Sequence, residues 1–517
     1  MPFNADIEKQ SYEHDRINLC PGHGTGGRHP TNESLNQRLD GHDDPGMFGR
    51  MFPDLEPLSV PDAKLQALAS AMLDPDPQDT SLDNPKIPGG FTYLGQFVDH
   101  DITLDLSSLS DRKRDPLGLR NFRTPALDLD NVYGLGPDGS PHLYERDAAD
   151  PGLIGPKLLI GKNINVDFGG ITGDFRNDLP RNPQGLALIG DPRNDENLLV
   201  AQTHLAFLKF HNALCDHLQA SGTPAEELFG AARRLATWHY QYLVLHDFVE
   251  RLCGAGTVAK ILHDGRKFYR FKTTPYMPVE FSVAAYRLGH SMVRQTYSHN
   301  RVFDPTDFNF LFGFTGLSGQ IVGDLAPETP TAPLPVSALP SNWIIDWRRF
   351  YELDRPQNVA FNPTRRLDPL LVSELHDLPN GGGNLAFRNL KRGVSLGLPS
   401  GQAVAEAMGI ADPLTPEEIA TGPDGAAAKD NGLHEATPLW YYILKEAQVR
   451  HNGERLGPVG ATIVSEVFVG LVHGDRESYL WREGKDWKPS LPSKTQGDFT
   501  MADLLRFVDD INPIGDT

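Results

Sequence analysis

An amide, two carboxylates and an imidazole stand close together in the segment 95–101. If this segment is helical, Gln96, Asp99 and His100 share one face because of their spacing, whereas Asp101 points about 100° further round. A cavity facing that surface would be lined by the amide, one carboxylate and the imidazole, with the second carboxylate directed elsewhere. Taken alone, the same run is also typical of polar residues at the end of a helix.

Two segments downstream carry further groups that could act in such a cavity. In the segment 189–197, Arg193 and Glu196 come immediately before a predicted helix. Acidic residues at a helix start also complement the helix dipole, so this segment has a structural interpretation as well. Further along the chain, Asn389 and Arg392 add an amide and a guanidinium.

A second histidine, His290, lies in a segment that is predicted to be helical over 282–297 and apolar on its other face. Gly289 costs roughly 1 kcal/mol in a helix interior, and its missing side chain lets a flat group approach His290 closely. Arg287 precedes this pair. The other interpretation is a hydrogen-bonded histidine of the core.

The loop 124–134 is a candidate cation site. In an extended loop alternate residues point the same way, so Thr124, the Ala126 carbonyl, Asp128 and Asp130 would converge. Oxygen ligands of this kind suit calcium. Two aspartates separated by one residue are otherwise ordinary turn chemistry.

Helices must position most of these groups. Apolar residues recur with helical spacing between 197 and 253, where we expect two long helices, and a third helix is predicted over 281–297. Strand signals are few and short, and the connections 326–340 and 422–432 are rich in proline and glycine. The expected fold is therefore mainly α, with long irregular loops.

The length and composition indicate a globular protein with a large core. The chain has 517 residues, of which 39% are hydrophobic and 22% charged. Residues 1–50 show little periodicity, so we expect an extended arm there, followed by one large helical domain over 51–517.

Charge and cysteine content exclude several classes of function. The 48 basic and 68 acidic residues give a net charge of -20, which disfavours nucleic acids and anionic membranes as partners. Cys20, Cys215 and Cys253 are too scattered for a disulfide framework or a zinc site, so free thiols are expected. No signal peptide or membrane span is visible, which indicates a cytoplasmic protein or export by a non-Sec route.

Two histidines, an arginine, an amide and carboxylates on a helical scaffold suggest a haem that handles peroxide. One imidazole would bind the iron, and the other would take a proton from peroxide and return it to the leaving oxygen. A guanidinium nearby would stabilise the charge that develops as the O–O bond breaks.

From about residue 91 to residue 479 the sequence resembles the animal haem peroxidases of the peroxidase-cyclooxygenase superfamily, the group of myeloperoxidase and lactoperoxidase, in a compact bacterial-looking form. The motifs quoted above occur in the order that the family has them. The resemblance implies a mainly α haem peroxidase domain with haem b and calcium. It also implies that hydrogen peroxide is reduced while halides, thiocyanate or small aromatic donors are oxidised.

Each residue that matches a family motif carries an implied role. Gln96 and His100 resemble the distal amide and the distal acid–base histidine, and Arg193 resembles the distal arginine. His290 resembles the proximal iron ligand, and Asn389 resembles the asparagine that accepts its N–H. A neutral partner of this kind would leave the imidazole less imidazolate-like than an aspartate would.

The resemblance also implies how the edges of the haem are held. Asp99 and Glu196 resemble the carboxylates that can form esters with haem methyl groups. Arg287 and Arg392 resemble the residues that the family uses at the propionates, through charge-assisted hydrogen bonds. His204 echoes a conserved helix position whose role looks structural.

The implied calcium site joins the distal segment to the loop. The ligands that match the family pattern are Asp101, Thr124, the Ala126 carbonyl, Asp128 and Asp130.

Three positions depart from the family. The segment 394–396 stands where the family usually has an Arg-Asp-His run. Asn197 replaces the haem-linked methionine of myeloperoxidase, so no sulfonium bond is expected. Arg287 stands where cyclooxygenases place a radical tyrosine.

Three other functions fit parts of the sequence. A fatty-acid dioxygenase on the same fold would take up oxygen with a polyunsaturated fatty acid. A metal-dependent phosphohydrolase using Asp99, His100 and Asp101 would be colourless. A non-catalytic, calcium-stabilised binding protein would have lost haem, although it would have no need of both His100 and Arg193.

Overall fold

A computed structural model describes residues 48–104, 121, 123–147, 150–272, 274–312, 338–378 and 383–517, together with the backbone of 19–20 and 24–25. Most of the predicted arm 1–50, the side chain of Cys20 and most of the connection 326–340 lie outside the described residues. The chain joins the core by Phe48, whose short strand pairs with a strand at Met277.

Helices dominate the described part of the chain, as the sequence predicts. The α-helices are α1 Asp62–Ala71, α2 Gly90–Ile102, α3 Asp130–Tyr133, α4 Gly136–Gly139, α5 Leu198–Ala220, α6 Ala225–Leu243, α7 Glu250–Cys253, α8 Thr257–Asp264, α9 Leu385–Ser395, α10 Gly401–Met408, α11 Pro416–Ile419, α12 Gly422–Asp430, α13 Leu439–His451, α14 Pro458–Gly474, α15 Tyr479–Arg482 and α16 Met501–Val508.

Strands are short and pair two by two. They are β1 Leu19–Cys20, β2 Gly24–Thr25, β3 Phe48–Gly49, β4 Asp83–Pro88, β5 Tyr144–Arg146, β6 Ile154–Leu158, β7 Met277–Pro278, β8 Thr296–Tyr297, β9 Thr306–Asp307 and β10 Pro363–Arg365. β3 and β7 run parallel, whereas β1–β2, β4–β10, β5–β6 and β8–β9 are antiparallel. The prediction of a mainly α fold with few short strands is confirmed.

The two long helices expected between 197 and 253 are present and pack against each other as α5 and α6. α5 begins where the Asn197 side chain accepts the N–H of Val200 at 3.0 Å. α6 continues through a π-helical turn at Val244–Val249 into α7. α2 packs on α5, where the ring of Phe97 stacks on Phe207 with centroids 4.6 Å apart.

The third predicted helix, over 281–297, is wrong in its second half. A π-helical turn at Glu280–Ala284 is followed, after a backbone kink, by a 3₁₀-helix at Ala285–His290, called the 3₁₀ segment below. The chain then extends into β8. Glycine at 289 and β-branched side chains at Val293 and Thr296 explain the early end, since both disfavour a helix.

The proline- and glycine-rich stretch 422–432 is also not a loop. It forms α12, with Pro423 in the first turn and Ala426–Ala428 in the body of the helix. Proline is favourable in the first turn, and alanine is the strongest helix former, so these residues outweigh the glycines.

Buried apolar side chains from Phe48 to Leu505 form one continuous core around these helices. Cys215 and Cys253 are buried free thiols, as expected. In the described ranges, no helix combines the length and apolar character needed to cross a membrane.

Candidate active site

A cavity of about 580 Å³ lies among α2, the 3₁₀ segment and α9. Cavities of roughly 300–1,000 Å³ commonly hold small ligands and cofactors. Residues from distant parts of the sequence meet on its walls. The predicted site residues that line it are Gln96, Asp99, His100, Arg193, Glu196, Arg287, His290, Asn389 and Arg392.

α2 presents its polar groups as the spacing predicts. Gln96, Asp99 and His100 face the cavity, whereas Asp101 is fully buried on another side of the helix. There the Oδ2 atom of Asp101 accepts the N–H of Leu129 at 3.2 Å. The helix ends at Ile102, and the hydroxyl of Thr103 donates to Oδ1 of Asp99 at 3.0 Å.

His100 is held through an amide between two imidazoles. Its Nδ1 lies 2.8 Å from Oδ1 of Asn194, and Nδ2 of Asn194 lies 2.9 Å from Nδ1 of His204. An amide oxygen only accepts, so Nδ1 of His100 carries the proton and Nε2 keeps a free lone pair. Burial and the charge of Arg193 lower the pKa of His100 to about 4. The ring is therefore a neutral base at neutral pH.

Arg193 is fixed at the end of α2. Its Nη2 donates to the carbonyl oxygens of His100 at 3.0 Å and Thr103 at 2.6 Å, and to Oδ2 of Asp191 at 2.8 Å. Burial alone would raise the pKa of Asp191, but Arg193 and Arg123 hold it far below its usual range. The guanidinium is thus paired and cannot swing away freely, yet it still lines the cavity.

Gln96 links the two segments on the same wall. Its Nε2 donates to Oε2 of Glu196 at 3.0 Å, and its Oε1 accepts from Nδ2 of Asn197 at 2.9 Å. Burial raises the pKa of Glu196 to about 7 against the opposing effect of Arg193. A large share of the Glu196 side chains is therefore protonated at neutral pH.

His290 lies at the end of the 3₁₀ segment and lines the same cavity. Burial, followed by the charges of Arg287 and Arg388, lowers its pKa to about 3, so the ring is neutral, the state in which imidazole binds metals. In this segment an added side chain at Gly289 would meet nothing within 4 Å, so open space lies beside the histidine. This fits the expected approach of a flat group.

The amide of Asn389 is oriented differently from the expectation that it accepts a hydrogen bond from His290. Its Nδ2 lies 2.9 Å from Nδ1 of His290, so here the amide donates. The reason is Arg287, whose Nη1 donates to the Oδ1 atom at 3.4 Å and so turns the amide. In this orientation Nε2 of His290 carries the proton. A half-turn of the amide would exchange the two atoms, restore the predicted direction and free Nε2, and the guanidinium of Arg287 would then have to turn away from Asn389.

The loop predicted to bind calcium is strained and acidic. Leu129 has φ 59° and ψ 33°, a left-handed conformation that is uncommon for a leucine and points to a functional constraint. The Oγ1 atom of Thr124 donates to Asp130 at 3.2 Å, and the N–H of Asp130 donates to Asp128 at 3.2 Å. The loop therefore closes on its own oxygen atoms.

The carboxylates of this loop raise one another's pKa. Burial, then the charge of Asp130, raises the pKa of Asp101 to about 7, and the same causes raise that of Asp128 well above its usual value. Oδ1 of Asp101 is buried and has no hydrogen-bond partner. However, the described residues include no group of three or more acidic, histidine or cysteine side chains close enough to hold a metal.

Sequence reasoning missed Asn194 and gave His204 only a structural role. Both are fully buried, and together they set the protonated nitrogen of His100. The sequence did offer one indication for Asn194, because it directly follows Arg193 in a segment that was predicted to contribute to the site. The position of His204 within α5 did not indicate its contact with Asn194.

The sequence matches a known protein family. The sequence model of the family described as "Animal haem peroxidase" matches residues 107–496. That range contains Arg193, His290 and Asn389 but begins after α2. Among curated proteins, the chain is 25% identical to the peroxidasin homolog pxn-2 of Caenorhabditis elegans over 71% of this chain, and 24% identical to the chorion peroxidase of Drosophila melanogaster over 70%.

These relatives are longer proteins. The chain spans 27% of the length of the peroxidasin homolog and 42% of that of the chorion peroxidase. Human eosinophil peroxidase is 24% identical over 57% of this chain, which covers 40% of its length.

Two solved structures share the fold. Peroxidase A from Dictyostelium discoideum superposes with a TM-score of 0.58 at 16% identity, covering 91% of this chain and 94% of that chain. Fatty acid alpha-dioxygenase from Oryza sativa superposes with a TM-score of 0.56 at 14% identity, covering 99% and 93%.

Proposed function

The chain belongs to the animal haem peroxidase family, and from that premise we propose that it binds haem b in the cavity and reduces hydrogen peroxide while oxidising halides, thiocyanate or small aromatic donors. One observation carries this proposal: two neutral histidines, the buried His100 and the partly buried His290, line one cavity, and each is bonded to an asparagine side chain. We further propose that residues 51–517 form the catalytic domain.

The walls of the cavity fit a haem. His290 offers a neutral imidazole beside the open space at Gly289, and Arg287 and Arg392 supply cations for two propionates. Bound haem would supply the iron redox chemistry that cleaves the O–O bond. Asn389, after the half-turn described above, would accept the N–H of the histidine and tune its basicity.

The side chains of α2 and of the segment 189–197, called the Arg193 segment below, would transfer protons and stabilise charge. His100 has a free Nε2 lone pair, so it can take a proton from peroxide and return it to the departing oxygen. Arg193 would stabilise the negative charge that develops during that step, and Gln96 would help to orient the peroxide. Because their hydrogen bonds already exist, little reorganisation is needed when peroxide arrives.

Asp99 and Glu196 are proposed to form esters with haem methyl groups, each ester replacing one methyl C–H bond in a two-electron oxidation in which one hydrogen peroxide is reduced to two water molecules. Both carboxyl groups line the cavity, and Glu196 is easily neutralised because its pKa lies near 7. A buried carboxylate is costly unless it is bonded, and an ester removes the charge. Haem should resist acid–acetone extraction increasingly after small additions of peroxide, and the double variant Asp99→Val, Glu196→Gln should abolish that resistance. Asn197 should give no thioether-type link.

Calcium is proposed to bind between Asp101 and the loop of Thr124, the Ala126 carbonyl, Asp128 and Asp130. The oxygen-only donor set and the unpartnered Oδ1 of Asp101 support this proposal. A cation there would relieve the repulsion that raises the carboxyl pKa values.

A visible spectrum combined with a peroxide-consumption assay tests the proposed function. We expect a haem Soret band and peroxide-dependent oxidation of iodide and of a small phenol. Oxygen uptake with a polyunsaturated fatty acid, without peroxide turnover, would favour the dioxygenase alternative. A colourless protein that hydrolyses phosphate esters with a divalent metal, or one that only binds calcium, would reject the peroxidase.

A further inference from the structure

Tyr93 faces the cavity from α2 but takes no part in the chemistry described so far. Its hydroxyl group is buried and makes no hydrogen bond of good geometry to the described residues. The phenol of Tyr297 is nevertheless close: the two ring centroids are 5.8 Å apart, and the rings meet edge to face. Phenols are among the most easily oxidised side chains, so an oxidising group in the cavity would have this pair as its neighbour.

The contacts continue away from the cavity. The ring of Tyr297 lies 6.3 Å from that of His299, and His299 lies 5.7 Å from Trp343. All three side chains are buried. Tyr93, Tyr297, His299 and Trp343 are called the tyrosine–tryptophan path below.

His299 is an unusual core residue because neither ring nitrogen has a hydrogen-bond partner. Burial and the charge of Arg349 lower its pKa to about 3, so the ring is uncharged. An unpartnered buried imidazole is costly for stability. Here it fills the gap between a phenol and an indole without adding a positive charge that would oppose the passage of an electron hole.

Trp343 connects the path to the surface. Its ring stacks on Phe303 with centroids 4.0 Å apart and on Phe310 at 5.7 Å, and Phe303 lies 6.2 Å from Phe168. Phe168 is 67% exposed and Phe310 49% exposed. These four residues are called the aromatic patch. Two of the four rings are thus exposed, and apolar groups that gather at a protein surface are suited to bind an aromatic ligand.

We propose that the aromatic patch is a second oxidation site, where phenolic donors too large for the cavity give up electrons that travel inward along the tyrosine–tryptophan path. Several short steps between oxidisable rings transfer an electron faster than one long step, because the rate falls steeply with distance. The exposed rings of Phe168 and Phe310 would hold an aromatic donor at the surface, and Phe310 stacks directly on the buried Trp343. This inference rests on the proposed function, which supplies the oxidant.

The reaction balances without any further reagent. Two phenol molecules each lose one electron at the aromatic patch and one proton to water. The two electrons, together with two protons, complete the reduction of one hydrogen peroxide to two water molecules. Each side chain of the path regains the electron, and any proton, that it gave up.

The experiment compares one donor in two sizes on the haem-loaded protein: free tyramine, and tyramine coupled to dextran, which cannot enter the cavity. Trp343→Phe and Tyr297→Phe keep an aromatic ring but remove the oxidisable group. Each should slow oxidation of dextran-bound tyramine by about tenfold or more and leave that of free tyramine within about twofold. Spin trapping after peroxide addition should label Trp343 or Tyr297 in the wild-type protein.

Trp481→Phe is the matched control. This tryptophan is 49% exposed, but its ring contacts lead only to His473 and Arg476 among the described residues, not to the cavity. It should leave both rates unchanged. Wild-type rates with dextran-bound tyramine in both path variants would overturn the inference, as would a wild-type protein that oxidises only free tyramine. If free tyramine is not oxidised at all, the proposed function itself fails.

Discussion

The cavity has two unlike walls. The distal wall, formed by α2 and the Arg193 segment, is cross-linked by charged and neutral hydrogen bonds that tie His100, Gln96 and Glu196 together. The proximal wall, formed by the 3₁₀ segment, depends on irregular backbone and on the 2.9 Å contact between His290 and Asn389.

The difference matches what each wall would have to do. Proton transfer needs an acid–base group held within a fraction of an ångström of its working position, which a dense network provides. An iron ligand is fixed by the metal bond itself, so its wall needs less support from the protein. Substitutions in the distal wall are therefore expected to misorient the acid–base group. Substitutions in the proximal wall are expected to cause loss of the cofactor.

The largest effect is expected on the proximal wall. His290→Ala removes the proposed iron ligand, so the purified protein should lose its haem or show a grossly shifted Soret band, because the cavity offers no second imidazole on that wall in the described residues. His263→Ala is the control, since that histidine is 80% exposed. Unchanged haem content and spectrum in the His290 variant would remove it from the role of ligand.

The same wall shows where prediction from sequence reached its limit. The structure places Arg287, Gly289, His290 and Asn389 on one cavity, but the predicted helix over 281–297 was wrong beyond the histidine. Helical periodicity does not distinguish π, α and 3₁₀ turns over so short a stretch. The direction of the Asn389 bond depends on Arg287, a contact across the fold that spacing does not reveal.

Prediction went further on the distal wall. The spacing in α2 separates Asp101 from the three residues that face the cavity, because an α-helix of normal geometry has a fixed angular step. The amide bridge was missed because Asn194 and His204 lie on different elements. Local sequence states which groups are present, but only packing decides which of them are bonded.

Loss of the distal base should have the next largest effect. His100→Ala should slow the first spectral change after mixing with peroxide by about 10²- to 10⁴-fold while haem stays bound, since the proton transfer is lost. Arg193→Lys keeps a charge but loses the paired geometry and should also slow this step. The two changes should not add fully, because both groups act in the same transition state. A wild-type rate in stopped-flow mixing of His100→Ala would place the base elsewhere.

Asn194 offers a smaller and more specific test of the distal network. In the wild-type protein, the rate of reaction with peroxide should fall only as the pH drops through about 4, where His100 becomes protonated. It should not fall near 6.5, the ordinary pKa of histidine. Asn194→Asp places a carboxylate beside the ring, which stabilises its protonated form, so the acid limb of the pH–rate profile should move to higher pH. Asn194→Leu should lower the rate by about 10- to 100-fold because the protonated nitrogen is no longer specified.

A merely structural asparagine would give a different result. Both variants would then lose stability or haem, and the acid limb would stay where the wild-type limb lies. The haem spectrum and the pH profile are measured on the same samples, so the two outcomes can be told apart.

The smallest effect is expected from the calcium loop, which lies behind the distal wall alone. Metal that binds only the folded protein stabilises it by about 2.7 kcal/mol at a hundredfold excess over the dissociation constant. Asp128→Asn or chelation should therefore lower the melting temperature. Loss of calcium should also slow the reaction with peroxide modestly, since Asp101 connects the loop to α2. The haem spectrum, which depends on His290, should stay unchanged. Asp138→Asn, an exposed residue in α4, is the control. Protein purified without chelator that contains no calcium, together with an unaltered melting temperature in Asp128→Asn, would show that the loop closes on its own hydrogen bonds.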